Sequence, residues 1–269
     1  MRHERIYLDS ECDEVWIETY IANDGDCRDA LLVIPGGGYS VVCHHSEGEP
    51  IALAFAARGY NTFTLNYRAK PGVYQYPTQL IDASRAMLYL RENAKELKIN
   101  ASRIFAVGFS AGGHLCGSLA TMYNYKEVVD EFGAERARGI RPDGVILSYP
   151  VTTMHGATHK GSFENLTGMK YENIPEYVAE RLSIDTALTS ESSPMFVWHT
   201  VEDELVPVEG SLILGLALVR NNLPHRISIF PYGPHGLTLS NGVTAKDEAH
   251  IQPMAECWVQ QADEWMKTL

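Results

Sequence analysis

The apolar run Ile104-Phe105-Ala106-Val107 ends in Gly108-Phe109-Ser110-Ala111-Gly112-Gly113-His114, and this junction constrains the fold more than any other stretch. A short apolar run bounded by glycine reads as a buried strand. A helical pattern begins near Ala111, so the chain must pass from strand to helix through a sharp turn. A serine at the tip of such a turn takes a strained backbone conformation that lifts its hydroxyl clear of the sheet. Side chains two positions away on either side would collide with the neighbouring strand and helix, which suits Gly108 and Gly112. The helix N-terminus beneath the serine favours a developing oxyanion.

The same alternation runs through the chain. Strands are expected at Val15–Tyr20, Leu31–Ile34, Thr62–Asn66, Ile104–Gly108, Val145–Ser148, Met195–His199 and Ile227–Phe230. Between Gln79 and Leu97, apolar residues recur at spacings of three and four, the mark of a one-faced helix. Glu209–Asn221 and Glu248–Lys267 read as further helices, the last with Trp258 and Trp265 on one face. Strands alternating with helices predict an α/β fold with a mostly parallel sheet covered on both faces. Ligands then sit at the carboxyl ends of the strands. A length of 269 residues suits one large domain over 1–269. Residues 152–193 break the alternation with glycines, prolines and a helical stretch near Glu176–Leu182, and are expected to form a small cap insertion.

Chemistry is sought in the loops after the strands. A serine hydroxyl is a poor nucleophile at neutral pH and needs a general base oriented by a carboxylate. On a strand–turn–helix nucleophile the chain order is serine, acid, histidine. After Met195–His199 three acids compete, Glu202, Asp203 and Glu204. Asp203 is favoured because Leu205-Val206-Pro207 suggests a packed turn that aims it inward, leaving the two glutamates as rim charges. After the last strand, Gly233-Pro234-His235-Gly236 presents a histidine among turn residues. The expected triad is Ser110, Asp203 and His235. Pro35-Gly36-Gly37-Gly38 follows another strand and can bring backbone N–H groups close to a ligand. Gly37, Gly38 and Ala111 are the expected oxyanion donors, with a one-residue offset left open.

VIPGGGYS, LNYR, GFSAGGHL, HTVEDELVP and GPHGL together resemble the α/β-hydrolase superfamily. The resemblance is to small esterases grouped with acetylxylan esterases, feruloyl esterases and hormone-sensitive-lipase-like enzymes, and covers the chain from about Leu31 to the last helix. It implies the same triad and a serine carboxylesterase acting on short-chain, chiefly acetyl, esters of sugars or oligosaccharides such as acetylated xylo-oligosaccharides. Pro35 stands where the lipase-like branch carries a histidine, which favours the acetylxylan-esterase-like branch. An amidase or small-peptide hydrolase would use the same triad. A non-catalytic hydrolase-fold binding module would typically lack one of its members.

A net charge of −12 argues against nucleic acid and anionic membranes as partners. The five scattered cysteines read as reduced thiols. The first residues carry no apolar leader pattern and no apolar run is long enough to span a bilayer, so a cytoplasmic protein is expected. No cofactor is implied. Cys43-His44-His45 with Glu47 matches no zinc spacing, so no metal is expected, and residues there are expected to line the pocket. His199 reads as a packed or hydrogen-bonded histidine. Tyr39, Tyr67, Tyr74, Tyr76 and Trp198 are candidate stacking surfaces for a sugar, with core packing preferred for Trp198. Homo-oligomerisation is left open.

Overall fold

A computed structural model describes residues 1–269. Eight strands form one sheet: β1 (Arg5–Tyr7), β2 (Trp16–Tyr20), β3 (Arg28–Ile34), β4 (Asn61–Asn66), β5 (Ile99–Phe109), β6 (Val145–Ser148), β7 (Met195–Thr200) and β8 (His225–Phe230). Their spatial order is β1-β2-β4-β3-β5-β6-β7-β8. β2 pairs antiparallel with β1 and β4, and every later pairing is parallel.

The central strands are apolar throughout because both faces are covered. Successive side chains point to opposite sides. Leu32, Ile34, Ala106, Leu147 and Val197 enter one core cluster, whereas Leu31, Val33, Val107, Phe109, Ile146 and Trp198 enter another. Helices Thr78–Glu92 and Ala111–Thr121 cover the first face, and Glu49–Ala56 and Trp258–Met266 cover the second. Trp258 stacks on Trp198, 5.1 Å between ring centroids, and both are fully buried. Burying a large apolar side chain contributes about 1.5–3 kcal/mol, so these layers supply the rigidity on which the strand ends rest.

The parallel register sets the strand ends side by side. Ile34 lies opposite Gly108, Phe109 opposite Ser148, Ser148 opposite Trp198, and Thr200 opposite Phe230. The loops carrying Gly36–Gly38, Ser110, Tyr149, Asp203 and His235 therefore leave one edge of the sheet.

Two helices differ from the sequence expectation. The Gln79–Leu97 helix ends at Glu92, after which the chain forms turns. Asn93 turns its side chain back on the Tyr89 carbonyl, competing with helix propagation. The expected Glu248–Lys267 helix is three pieces, Glu248–His250, Pro253–Glu256 and Trp258–Met266. Pro253 explains the first break, because it can open a helix but cannot donate within one. β1 is an added edge strand, too short for periodicity to reveal. The Val145–Ser148 strand and Glu176–Leu182 helix fall where expected. Residues 152–193 hold helices Lys160–Thr167, Glu176–Leu182 and Ile184–Ala187 between β6 and β7. No helix is long and apolar enough to cross a membrane.

Candidate active site

Ser110 has φ +53° and ψ −119°, a conformation that side chains rarely adopt. Three backbone hydrogen bonds hold it there: its N–H donates to the Ser148 carbonyl (3.0 Å), and its carbonyl accepts from Val151 N–H (3.1 Å) and His114 N–H (3.1 Å). The turn is tight enough to exclude side chains. A Cβ on Gly108 would lie 2.2 Å from the Gly112 carbonyl oxygen. One on Gly112 would lie 2.3 Å from the Ile34 oxygen and 2.4 Å from the Pro35 oxygen. Backbone cannot yield as a flexible side chain can, so Gly112→Ala is expected to cost about 2–3 kcal/mol or more. Chemical denaturation would measure this, and an unchanged midpoint would contradict the crowding argument.

The structure brings the three expected residues together. His235 Nε2 lies 2.9 Å from Ser110 Oγ, and His235 Nδ1 lies 2.6 Å from Asp203 Oδ2. The carboxylate can only accept, so Nδ1 carries the proton and Nε2 is free to accept one from Ser110. Asp203 is 4% exposed, and its other oxygen accepts the N–H groups of Leu205 (3.0 Å) and Val206 (2.8 Å). This is the packed turn expected from Leu205-Val206-Pro207, and Glu202 and Glu204 beside it are exposed. Glu202 also accepts the Gly233 N–H at 3.0 Å, which steadies the loop carrying His235.

At the Gly36–Gly38 loop, the Gly36 N–H is not available to a ligand, because it donates to Glu47 Oε2 at 2.7 Å. The N–H groups of Gly37 and Gly38 donate to no protein atom. The Ala111 N–H opens the Ala111–Thr121 helix, where no intrahelical acceptor exists. Gly37 has φ +125°, and a Cβ there would lie 2.2 Å from the Val41 carbonyl oxygen, so only glycine fits. Asn165, on the Lys160–Thr167 helix between β6 and β7, donates to the Gly38 carbonyl at 2.8 Å. The site therefore combines a strained serine, an oriented imidazole, and backbone donors with no partner.

The BD-FAE family profile matches residues 19–218. The chain belongs to the BD-FAE family. It is 40% identical over 224 residues to endo-1,4-beta-xylanase B of Butyrivibrio fibrisolvens, covering 82% of this chain and 34% of that protein. It is 27% identical over 242 residues to the acetylxylan esterase of Xylanibacter ruminicola, covering 89% of this chain and 45% of that protein. The chain thus spans less than half the length of these two relatives. An acetyl ester-xyloside bifunctional hydrolase from Caldicellulosiruptor lactoaceticus superimposes with a TM-score of 0.86 at 32% identity, over 99% of this chain and 96% of that one. The BD-FAE chain thus has the α/β-hydrolase fold that its motifs resembled.

Several residues of this family member act where no motif pointed. His199 is fully buried, and its Nε2 faces both Asp203 Oδ2 (3.1 Å) and the Val206 carbonyl (2.9 Å). Two acceptors on one nitrogen require a proton there, so His199 donates to the Asp203 carboxylate. Burial opposes ionisation of Asp203, but the hydrogen bonds from His199 and His235 outweigh it. The carboxyl is held well below the usual carboxylate range. His159, half-buried beside Gly38, has its pKa lowered by burial and by the neighbouring His235. Tyr39, Tyr67 and Trp198 are buried and offer no stacking face, whereas Tyr74 and Tyr76 stay partly exposed. Glu47 turns into the core rather than lining a pocket, because it accepts from Gly36 and from Tyr149 Oη at 2.8 Å.

Proposed function

We propose that this chain is a serine carboxylic ester hydrolase that removes short acyl groups, chiefly acetyl, from sugars or oligosaccharides such as acetylated xylo-oligosaccharides. The observation that carries the reading is the 2.9 Å contact of His235 Nε2 with Ser110 Oγ, next to backbone N–H groups without partners.

Ser110 Oγ attacks the ester carbonyl while His235 Nε2 takes its proton. Asp203 keeps the imidazole in the tautomer that allows this and stabilises the imidazolium that forms. The carbonyl oxygen, now negative, accepts from the N–H groups of Gly37, Gly38 and Ala111. His235 then protonates the departing alcohol, the C–O bond breaks, and an acyl group remains on Ser110. Water, deprotonated by His235, attacks that acyl group, the bond to Ser110 Oγ breaks as His235 returns the proton to Oγ, and the acid is released.

The sugar part of the reading has two supports. A cleft of about 730 Å³ opens beside His235, lined mainly by polar and charged groups that include Glu202, Glu204, Lys246 and His250. Such walls suit a hydroxyl-rich leaving group better than a long alkyl chain. The relatives also include proteins named for acetylxylan and acetyl-xyloside chemistry.

Acetate release from acetylated xylo-oligosaccharides, with p-nitrophenyl acetate alongside, tests the proposal. Release from both supports it. Release from the aryl ester alone removes the sugar assignment, and release from neither removes ester hydrolysis.

A further inference from the structure

Glu47 is a buried carboxylate for which the ester-cleaving chemistry has no task. It is 6% exposed, and no lysine, arginine or histidine forms an ion pair with it. An unpaired buried carboxylate is costly to keep, and an apolar residue of similar volume would serve the fold as well or better. Burial accordingly raises its pKa.

Its two oxygens reach two different parts of the site. Oε2 accepts the Gly36 N–H at 2.7 Å, and the Gly36 carbonyl in turn accepts Cys43 N–H at 3.0 Å. That circuit clamps the residue immediately before the two candidate donors. Gly36 also backs the nucleophile, since a Cβ placed on it would lie 3.0 Å from Ser110 Cβ. Oε1 accepts Tyr149 Oη at 2.8 Å. Tyr149 is buried with φ +37°, and its ring stands at 73° to the His235 imidazole with centroids 5.0 Å apart. Its oxygen accepts the Thr238 N–H at 3.2 Å, on the loop that carries His235. One carboxylate thus ties the oxyanion loop to the aromatic that braces the base.

We propose that Glu47 is a positioning residue that sets the Gly37–Gly38 donors against Ser110 and, through Tyr149, fixes the imidazole of His235. The inference rests on the ester hydrolysis proposed above. Positional error near 1 Å at a reacting centre costs about 100-fold in rate, and the tie acts on that scale.

The test compares kcat, KM and melting temperature on p-nitrophenyl acetate for wild type, Glu47→Gln, Glu47→Leu, Tyr149→Phe and the Glu47→Gln/Tyr149→Phe double variant. Leucine removes both acceptors, whereas glutamine keeps one. Glu47→Leu is expected to lower kcat about 100-fold and Glu47→Gln about tenfold, with KM changed less than about twofold. The double variant should be little worse than its more impaired parent, because both changes cut the same tie. Wild-type kcat in folded Glu47→Gln and Tyr149→Phe, or kcat losses that simply follow melting temperature, would overturn the proposal. If Glu47→Leu does not fold, the other two single variants decide. A wild type that neither hydrolyses the ester nor reacts with a fluorophosphonate overturns the ester reading itself. An active wild type with unimpaired variants overturns only the role of Glu47.

Discussion

Ser110→Ala is expected to lower kcat on p-nitrophenyl acetate by at least about 10⁴-fold, leaving only what the oxyanion donors and substrate binding supply. No other hydroxyl stands in for it. Ser110 alone faces His235 Nε2, and the strained turn that presents it is built around that position. Alanine tolerates the same backbone no worse than serine, so the melting temperature should scarcely change. The comparison of steady-state kinetics with thermal melting therefore separates lost chemistry from lost structure. Turnover near wild type in a folded Ser110→Ala protein would assign the nucleophile elsewhere.

Asp203→Asn is expected to lower kcat by about 10³–10⁴-fold and, unlike the serine variant, to destabilise the fold. Asp203 accepts four N–H groups, from Leu205 and Val206 on one oxygen and from His199 and His235 on the other. Asparagine has a single acceptor oxygen. Whichever way its amide turns, the NH₂ confronts two donors, so a cost of about 2–4 kcal/mol is expected from the unsatisfied groups. The arrangement also sets a sign for pH dependence. The folded pKa of Asp203 lies below the unfolded value of about 3.9, so its contribution is complete above that pH. It is lost as pH falls through the folded pKa. Asp203→Asn, lacking this titration, should lose less stability than wild type between pH 7 and pH 2. Parallel denaturation curves across that range would contradict the assignment of this carboxylate as the strongly stabilised one.

The sheet was legible because buried parallel strands leave a plain mark in the sequence. Runs such as Val145–Ser148 and Ile104–Gly108 are apolar on both faces and bounded by turn residues. The positions of Ser110, Asp203 and His235 were legible for a related reason. Each follows a strand, and parallel register forces all strand ends to one edge. The supporting residues were not, because their roles depend on side-chain direction. Glu47 sits in a polar stretch that reads as pocket lining, and only the fold turns it under Gly36. His199 reads as a core histidine at a strand end, and it is one. That its Nε2 meets Asp203 four residues later follows from the turn geometry, which no periodicity reports. Asn165 fits a glycosylation pattern in the sequence, yet its amide is spent on the Gly38 carbonyl. Tyr39 and Tyr67 read as candidate stacking surfaces for a sugar by residue type alone. Their hydroxyls are instead drawn inward, to His114 Nδ1 at 2.7 Å and the Pro35 carbonyl at 2.9 Å.

The most direct test of the central claim is to treat the protein with a fluorophosphonate and locate the adduct by peptide mass spectrometry. Such a reagent reacts with a serine only where a base activates it and donors stabilise the attacked centre. The account predicts one adduct, on Ser110, and no labelling of Ser110→Ala or of denatured protein. An unlabelled native protein, or an adduct on any other residue, would contradict it.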